Sequence, residues 1–177
     1  MNVKRDNNKS LSKELLKTIA IVLGFALCTK LLLFDFLQLE GDSMLETLKG
    51  DEKVLINKAI YKTNEPRRGD VIVFNYPNNR YFQLIKRVIA IEGDTIEICG
   101  GKVVVNDIIL EEKYIREKFI EDFEKKVVPK NCVFVMGDNR NNSKDSRFEE
   151  VGFVQHSFIK GKAIVVIWPI RRIRKII

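Results

Sequence analysis

The longest apolar run of the chain lies near its start, at residues 18–34, and it predicts a membrane-spanning helix. The run reads TIAIVLGFALCTKLLLF, close to the roughly 20 residues that cross a hydrocarbon core. Lys30 stands near the far end, where its amine can reach the interface. Mostly basic residues precede the run, which orients the N-terminus towards the cytoplasm: Lys4, Arg5, Lys9, Lys13 and Lys17 stand against Asp6 and Glu14. We therefore expect a cytoplasmic basic tail (1–17), a transmembrane anchor (18–36) in the cell membrane, and an extracytoplasmic domain (37–177).

Two other interpretations of this run are weaker. A cleaved secretory signal peptide also begins with basic residues and an apolar stretch. Here the run leads into Asp35, Phe36 and the bulky Leu37 and Leu39, without the small-x-small pattern of a cleavage site. A buried helix of a soluble protein is disfavoured by the length of this run together with its nearly uniform apolarity. The pattern favours a retained anchor.

After the anchor, short runs rich in β-branched residues alternate with Gly, Pro, Asn and Asp, which predicts a mainly β body built as a barrel or sandwich. Gly100-Gly101 predicts a hairpin turn, and residues 75–80 predict another. Residues 111–126 are charged, with Ile115, Phe119 and Phe123 four apart, and predict either a short amphipathic helix or an irregular insert. The predicted strands are Val54–Ile56, Val71–Phe74, Phe82–Ile91, Thr95–Ile98, Val103–Val105, Val133–Met136 and Ala163–Trp168.

Composition limits the chain to one domain beside the anchor. The 177 residues, 45% hydrophobic and 31% charged, suffice for one core with a polar surface. The formal net charge of +7 attracts anionic surfaces in general, but no motif indicates nucleic-acid binding. Cys28, Cys99 and Cys132 cannot all pair and are interpreted as buried hydrophobes, with a Cys99–Cys132 disulfide left open. With a single histidine, a histidine-based metal site is not expected, and no metal or cofactor is predicted.

Ser43 is the first candidate for chemistry, because it lies just beyond the anchor. A serine hydroxyl needs a base to become a nucleophile. Ser43-x-x-Glu46 also matches a capping box, in which the serine would begin a helix. The single histidine, His156, stands in a sequence without features of a catalytic loop, so we interpret it as structural. A serine/lysine pair is the alternative chemistry.

Lys86 is the lysine best suited to act as a base. A lysine base must be neutral, so its pKa must fall from about 10.4 towards roughly 7–8, and burial in apolar surroundings lowers it. Lys86 lies in LIKRVI, where strand alternation places it on one face with Leu84, Val88 and Ala90. That environment favours desolvation, although an ordinary strand lysine reaching solvent fits the pattern equally well.

Five segments follow one another along the chain: GDSMxxTL from Gly41, RGDVIVF from Arg68, KRVIxxxGD from Lys86, GDNRNNSxDSR from Gly137 and GKA from Gly161. In order and spacing, and together with the leading anchor, they resemble the bacterial type I signal peptidases, a family of membrane-bound serine/lysine leader peptidases. The resemblance covers nearly all of the chain after the cytoplasmic tail. It implies a serine endopeptidase that removes signal peptides from secretory preproteins through an acyl-enzyme.

The resemblance also implies residue roles. Ser43 would attack the scissile carbonyl, Lys86 would be the general base, and Ser143 would hydrogen-bond and orient the lysine. The Ser43 N–H would contribute to an oxyanion hole. Charge-assisted hydrogen bonds would hold the segment that begins at Gly137 in shape through Asp138, Arg140, Asp145 and Arg147. By the same resemblance, small side chains precede the cut, and the candidate walls of their pockets are Leu37, Leu39, Met44 and Ile85.

The chain departs from the family pattern at four places. Glu46 stands where the family usually has proline, and Ala90 and Glu92 where it often has glycine and proline. Gly41 stands where some members carry a serine that donates a second oxyanion hydrogen bond, so here only backbone or water could donate it. These departures bear on loop shape and rate rather than on the serine/lysine pair.

Two rival functions remain open from the sequence. A self-cleaving serine/lysine peptidase of the repressor type joins a related core to a DNA-binding domain, and here the transmembrane run occupies that place. An inactive membrane-tethered β module that binds peptides would tolerate the departures at Glu46, Ala90 and Glu92. That module would not need to retain Ser43, Lys86 and Ser143 together. The basic, apolar end of the chain after Trp168 suits either a membrane interface or an ordinary basic tail.

Overall fold

The structure, a computed structural model, describes residues 13–25, 33–77, 79–115, 117 and 121–177, and it is mainly β. Helix α1 covers residues 13–25, α2 covers Ile60–Thr63, and 3-10 turns lie at His156–Phe158 and Ile170–Arg172. The strands are β1 (Phe34–Gln38), β2 (Lys53–Asn57), β3 (Val71–Tyr76), β4 (Asn79–Ile91), β5 (Thr95–Cys99), β6 (Lys102–Val105), β7 (Ile108–Ile109), β8 (Phe123–Val127), β9 (Cys132–Met136), β10 (Val154–Gln155), β11 (Ile159–Trp168) and β12 (Arg174–Lys175).

Eight strands form an antiparallel sheet in the order β1-β2-β11-β3-β4-β9-β10, with β12 beside β11. Two apolar clusters cover it. One packs around Leu39, Met44, Val54 and Val73, and the other around Phe74 and its neighbours. Gly161 on β11 is required by close packing, because a Cβ there would lie 2.4 Å from the carbonyl oxygen of Asn57 on β2. This sheet carries both β4 and the segment that follows β1.

A second antiparallel sheet has the order β7-β6-β5-β8. Gly100 and Gly101 turn the chain between β5 and β6 with φ of 57° and 72°, the left-handed region that glycine enters without steric cost. Ile96, Ile98 and Val103 pack with Phe134 and Met136 of β9 in one cluster. The second sheet is thereby fixed to the strand that leads into the loop beginning at Gly137.

All seven strands predicted from sequence are confirmed, as is the Gly100-Gly101 hairpin. The turn predicted at residues 75–80 is tighter, since β3 and β4 continue into it and pair Tyr76 with Asn79. The region 111–126 forms no helix in its described residues: it runs irregularly and enters β8 at Phe123. The serine turn is likewise not a helix start, so the capping-box interpretation of Ser43 was wrong.

The predicted anchor is only partly described. Residues 18–25 belong to α1, residues 26–32 lie outside the described residues, and Phe34, Asp35 and Phe36 belong to β1, where they pair with Asn57, Ile56 and Leu55. The prediction that the anchor extends to residue 36 was therefore wrong. No helix in the described ranges is long and apolar enough to cross a membrane.

The structure also describes two of the cysteines and the basic end of the chain. Cys99 and Cys132 are free thiols, so the disulfide left open by the sequence is not formed. The end of the chain is part of the fold. β12 pairs with β11, Ile176 is buried, and Arg174 donates to both oxygens of the buried Glu52 carboxylate over 2.8 Å.

Candidate active site

Ser43 and Lys86 meet at the side of the large sheet. The Lys86 amine donates a hydrogen bond to the Ser43 hydroxyl, with Nζ and Oγ 2.6 Å apart. Ser43 lies in the turn between β1 and β2, and Lys86 lies in the middle of β4, opposite Ile72 of β3. Residues 43 positions apart in the sequence are therefore brought into direct contact by sheet pairing.

The Lys86 side chain is buried, with an exposed fraction of 2%. Burial lowers the pKa of Lys86 to about 8, because the charged amine loses its hydration. The carboxylates of Asp145 and Asp138 act in the opposite direction, and the Arg147 guanidinium adds to the lowering. Of the two environments that the sequence left open for Lys86, the structure has the buried one and not the solvent-reaching one.

The strand alternation predicted around Lys86 holds only as far as Val88. The β4–β9 register shifts between Val88 and Ala90, with one extra residue on β4. Val88 then packs in one cluster and Ala90 in another, so the prediction that Ala90 shares a face with Lys86 was wrong. A bulge reverses the alternation beyond it, and nothing in the local sequence marked this one.

The Ser43 turn is held against the loop that follows β9. The Asn139 N–H donates to the Ser43 carbonyl over 3.0 Å, and the Asn139 side-chain amide donates to the Asp42 carbonyl over 3.0 Å. Gly41 has a φ of 79°, which favours glycine, so a serine at this position would be strained. Asn139 was quoted in a family segment, but its contact with the serine turn was not predicted.

Gly137 is the point of closest approach between this loop and the serine turn. A Cβ at Gly137 would lie 2.2 Å from Ser143 Oγ and 2.4 Å from the Ser43 carbonyl oxygen. The resemblance implied that Ser143 hydrogen-bonds Lys86, and Ser143 does lie close to the Ser43 segment. Its hydroxyl, however, donates to Asp145 Oδ2 over 2.7 Å, and the described residues show no hydrogen bond from it to Lys86.

The four predicted structural residues take part in three buried ion pairs: Asp145 pairs with Arg147, Arg140 with Glu112, and Asp138 with Arg87. Asp145 accepts from the Gly137 N–H over 2.9 Å, and from Arg147 Nε over 2.7 Å and Nη2 over 2.8 Å. Arg140 donates to both oxygens of Glu112, with Nη1 to Oε2 at 2.8 Å. Glu112, the partner of Arg140, was not predicted, because it lies in the irregular insert, where no local sequence pattern marks it.

Asp138 is held by Arg87, the residue next to Lys86. Arg87 donates to Asp138 through Nε over 2.9 Å and Nη2 over 2.7 Å, and its side chain is 2% exposed. Its remaining donors reach the carbonyls of Gly69 and Ile177, both over 3.0 Å, and the Thr47 hydroxyl. The guanidinium also lies 4.1 Å from the centre of the Tyr114 ring. The sequence feature that could have indicated this role of Arg87 is the presence of a charged residue inside an apolar strand.

A cavity of about 290 Å³ opens beside the pair. Of the four residues predicted as substrate walls, Leu37, Leu39 and Ile85 line it, together with Ser43 and Lys86. Met44 is not in the lining. It is 2% exposed and packs in the core cluster with Leu39, against which Leu37 and Ile85 also pack.

The other chemical candidates lie elsewhere. His156 lines cavities with Lys130 and Asn131 and with Glu65 and Glu92, and neither of these cavities includes Ser43. Within the described part of the chain, no group of three or more His, Cys, Asp or Glu side chains is placed to hold a metal ion.

Replacing Gly137 by alanine is expected to lower kcat for the reaction of this site about 100-fold, because displacing reacting groups by about 1 Å has an effect of that size. The added methyl must push away both Ser143 and the Ser43 carbonyl. Gly24→Ala is the matched control, since a Cβ there meets nothing within 4 Å. Unchanged kcat in Gly137→Ala would show that the close approach does not constrain the serine.

A serine hydroxyl bonded to a buried lysine amine, on a mainly β body, has the arrangement of a serine/lysine hydrolase site. A family model described as "Signal peptidase, peptidase S26" matches residues 12–168. The chain therefore belongs to this signal peptidase family, and the resemblance seen in the sequence is confirmed.

Curated relatives and a solved structure agree with the family model. A signal peptidase I of Leptolyngbya laminosa is 37% identical over 168 residues, which cover 90% of this chain and 81% of that protein. Signal peptidase I S of Bacillus subtilis (strain 168) is 32% identical over 185 residues, covering 97% of this chain and 98% of the relative. The crystal structure of a signal peptidase I from Enterococcus faecalis V583 has a TM-score of 0.50 at 31% identity, covering 56% of this chain and 97% of that chain.

Proposed function

We propose that this protein is a signal peptidase I that cuts signal peptides from exported preproteins, with Ser43 as nucleophile and Lys86 as general base. The observation that carries the proposal is the 2.6 Å contact between Ser43 Oγ and the buried Lys86 Nζ. A general base must be within about 2.6–3.2 Å of the proton that it takes. Burial supplies the second requirement, because it favours the neutral amine.

The proposed reaction passes through an acyl-enzyme. The neutral Lys86 amine takes the Ser43 hydroxyl proton as the oxygen attacks the scissile carbonyl. The tetrahedral intermediate collapses, the protonated amine gives its proton to the departing amine of the mature protein, and the signal peptide remains esterified to Ser43. Water, deprotonated by Lys86, then hydrolyses the ester and restores the free hydroxyl.

The Ser43 N–H is the proposed oxyanion donor. In the hydrogen bonds of the described residues it donates to no protein group, so it is available to an oxyanion. Asn139 supports this geometry, because its bonds to the carbonyls of Asp42 and Ser43 fix the peptide group that contains that N–H and the peptide group after it. Gly41 brings no side-chain donor, and we propose that backbone or water supplies any second hydrogen bond.

Ser143 and Asp145 are proposed to position the lysine. The Asp145 carboxylate is fully buried, is held by Arg147, and raises the pKa of Lys86 against the effect of burial. Ser143 bonds this carboxylate in the structure. We propose that its hydroxyl turns to the lysine amine when substrate binds and the amine gains a proton.

The substrate is proposed to bind as an added strand. β1 is the last strand of the sheet, and residues 83–86 of β4 pair with β3 but not with β9, whose pairing begins at Arg87. Both edges border the cavity that contains Ser43. An extended peptide can use such edges for main-chain hydrogen bonds. The side chains of Leu37, Leu39 and Ile85 then leave room only for small residues before the cut.

The membrane anchor and the extracytoplasmic position of the β body are also part of this proposal. The large apolar side chains of α1 are 48–72% exposed, which is unfavourable in water and suits a lipid environment. We propose that residues 18–33 contribute a single membrane anchor with the N-terminus in the cytoplasm. The β body would then act on the extracytoplasmic side, beside the bilayer.

Incubation of the full chain in detergent with a secretory preprotein, followed by N-terminal sequencing of the product, tests the proposed function. Cleavage after a small-x-small sequence is expected. Binding without a new N-terminus would instead identify an inactive peptide-binding module. Cleavage of the enzyme's own chain alone would favour the self-cleaving type.

The pH dependence of kcat/KM is expected to follow the deprotonation of Lys86. Because its pKa is about 8, the active neutral form is lost as pH falls, and kcat/KM at pH 6 should be about 100-fold below the alkaline plateau. Initial rates with a peptide substrate at low concentration, across pH 6 to about 9.5, measure this. A flat profile over that range would contradict a lysine base.

A further inference from the structure

The cavity that contains Ser43 continues into two exposed aromatic side chains. Tyr81 and Phe82 of β4 belong to its lining, together with Lys86. The Tyr81 side chain is 100% exposed and that of Phe82 is 54% exposed. Adjacent large apolar side chains at a surface are unfavourable in water and are a feature of binding sites. No step of the proposed reaction uses this aromatic end of the cavity.

A bulge in β4 presents the two aromatic side chains. The β3–β4 register shifts between Asn75 and Tyr76, which leaves Tyr81 and Phe82 without a register partner on β3. Such a bulge redirects side chains from the regular alternation of a strand, and bulges are frequent beside active sites. The Phe82 ring contacts Tyr76 edge to face, with ring centres 6.3 Å apart. This contact holds the Phe82 ring in place before any substrate binds.

The aromatic pair lies at the end of the cavity far from Ser43. Neighbouring strands in the order β1-β2-β11-β3-β4 are all antiparallel, so β1 and β4 run in the same direction. Both lead towards the serine, since β1 ends before it and Lys86 contacts it. Phe82 and Tyr81 precede Lys86 by about 13 and 17 Å of extended strand. A peptide that follows β4 away from the reacting carbonyl therefore reaches them about five or six residues before the cut.

The room for side chains increases with distance from the serine. Close to Ser43, the side chains of Leu39 and Ile85 line the cavity and pack in the core, so they leave little space. At the far end, the exposed rings offer an open apolar surface to a large side chain. A secretory signal peptide has the same order, with an apolar segment followed by small residues at the cleavage site. The cavity therefore matches a signal peptide from its apolar segment to the cut.

An extended peptide fits this end of the cavity better than a lipid surface does. Gln38, Glu40 and Gln83 also line the cavity, and all three are exposed. Insertion of the aromatic pair into a bilayer would bring the Glu40 carboxylate and the two amides towards hydrocarbon, which is costly. A bound peptide covers the rings and leaves these polar groups in water.

We propose that Tyr81 and Phe82 bind the signal peptide at about the fifth and sixth residues before the cut and select large apolar side chains there. The inference rests on the proposed function. These contacts are remote from the reacting carbonyl, so they strengthen substrate binding and raise kcat/KM. Ser43 and Lys86 perform the same reaction without them.

Two preproteins that differ only at the fifth and sixth residues before the cut, Leu-Leu and Ser-Ser, test the proposal with the full chain in detergent. The ratio of kcat/KM for Leu-Leu to that for Ser-Ser is measured for wild type and for the double variant Tyr81→Ser, Phe82→Ser. This ratio should fall about tenfold in the variant, the lower end of the discrimination expected of apolar contacts. Transfer of substrate into micelles affects both enzymes equally. Each ratio is also independent of the folded fraction of its sample.

The double variant Ile108→Ser, Ile109→Ser is the matched control, because these adjacent side chains of β7 are exposed and do not line the cavity beside Ser43. It should keep the wild-type ratio. The single variant Tyr81→Ser, at a fully exposed position, should show part of the fall.

Two outcomes would overturn the inference while cleavage preserved the proposed function. One is a wild-type ratio in the variants of Tyr81 and Phe82. The other is slower cleavage of both preproteins by the same factor, as loss of a lipid contact would cause. Absence of cleavage of both preproteins by wild type would overturn the inference and the proposed function together.

Discussion

Ser43→Ala and Lys86→Met are each expected to lower the rate of preprotein cleavage by at least about 10⁴-fold, the scale on which members of a nucleophile–base unit act. Alanine removes the attacking oxygen. Methionine keeps nearly the length and volume of lysine but cannot accept a proton, so the hydroxyl 2.6 Å from Nζ loses its base. The two losses should not add in the double variant, because the residues act in one step.

Initial rates of preprotein cleavage, with wild type and each variant at equal concentration, measure this effect. Ser157→Ala and Lys160→Ala are matched controls, since both residues are exposed and neither lines the cavity beside Ser43. They should retain wild-type rates. Normal cleavage by Ser43→Ala or Lys86→Met would remove the assignment of the pair.

Lys86→Met is expected to be more stable than wild type, so its urea unfolding separates loss of activity from loss of folding. The folded pKa of about 8 lies below the ordinary value of 10.5, so the folded state binds the proton less tightly than the unfolded chain. Below pH 8 the lowered pKa of Lys86 reduces the free energy of unfolding by up to about 3 kcal/mol. This reduction disappears as pH rises from 8 to 10.5. Methionine removes the cost, so its urea midpoint at pH 7 should exceed that of wild type.

The sequence was most informative where one local rule decided the structure. Apolar β-branched runs between glycines and asparagines form β3, β5 and β9. β9 and most of β3 are buried on both faces, and β5 is buried on one face, as expected of such runs. The strands that were missed lack that pattern. β8 reads FEKKV and β12 is Arg174–Lys175, so their pairing with β5 and β11 follows from tertiary contacts that local composition does not encode.

The sequence predicted which residues form the site, but not which hydrogen bonds and ion pairs join them. Ser43 and Lys86 were expected to meet because their segments resemble a family, whereas spacing along the chain could not show it. Ser143 was expected to bond the lysine, but Asp145 lies two residues away and takes its hydrogen bond. Glu112 pairs with Arg140 across 28 residues. Such long-range pairs depend on the path of an irregular segment, which no periodicity specifies.

Arg87→Met is expected to lower the free energy of unfolding by about 3–5 kcal/mol, the usual effect of removing one partner from a buried ion pair. Asp138, which is 1% exposed, would keep the Thr47 hydroxyl as a hydrogen-bond donor but lose both guanidinium bonds. The carbonyls of Gly69 and Ile177 would also each lose a donor. Methionine fills much of the volume, so the loss reports the charge and hydrogen bonds rather than a large cavity.

Urea unfolding of the full chain in detergent, followed by the fluorescence of the single tryptophan, Trp168, measures this change. Arg171→Met is the matched control, because its side chain is exposed, and its replacement should change the free energy of unfolding by no more than about 0.5 kcal/mol. Equal midpoints for the two variants would show that the Arg87–Asp138 pair does not stabilise the fold. A large difference would show that Arg87 stabilises the loop from Gly137 to Arg147. Because Arg87 is next to Lys86, β4 would then supply both the proposed base and a main structural support of that loop.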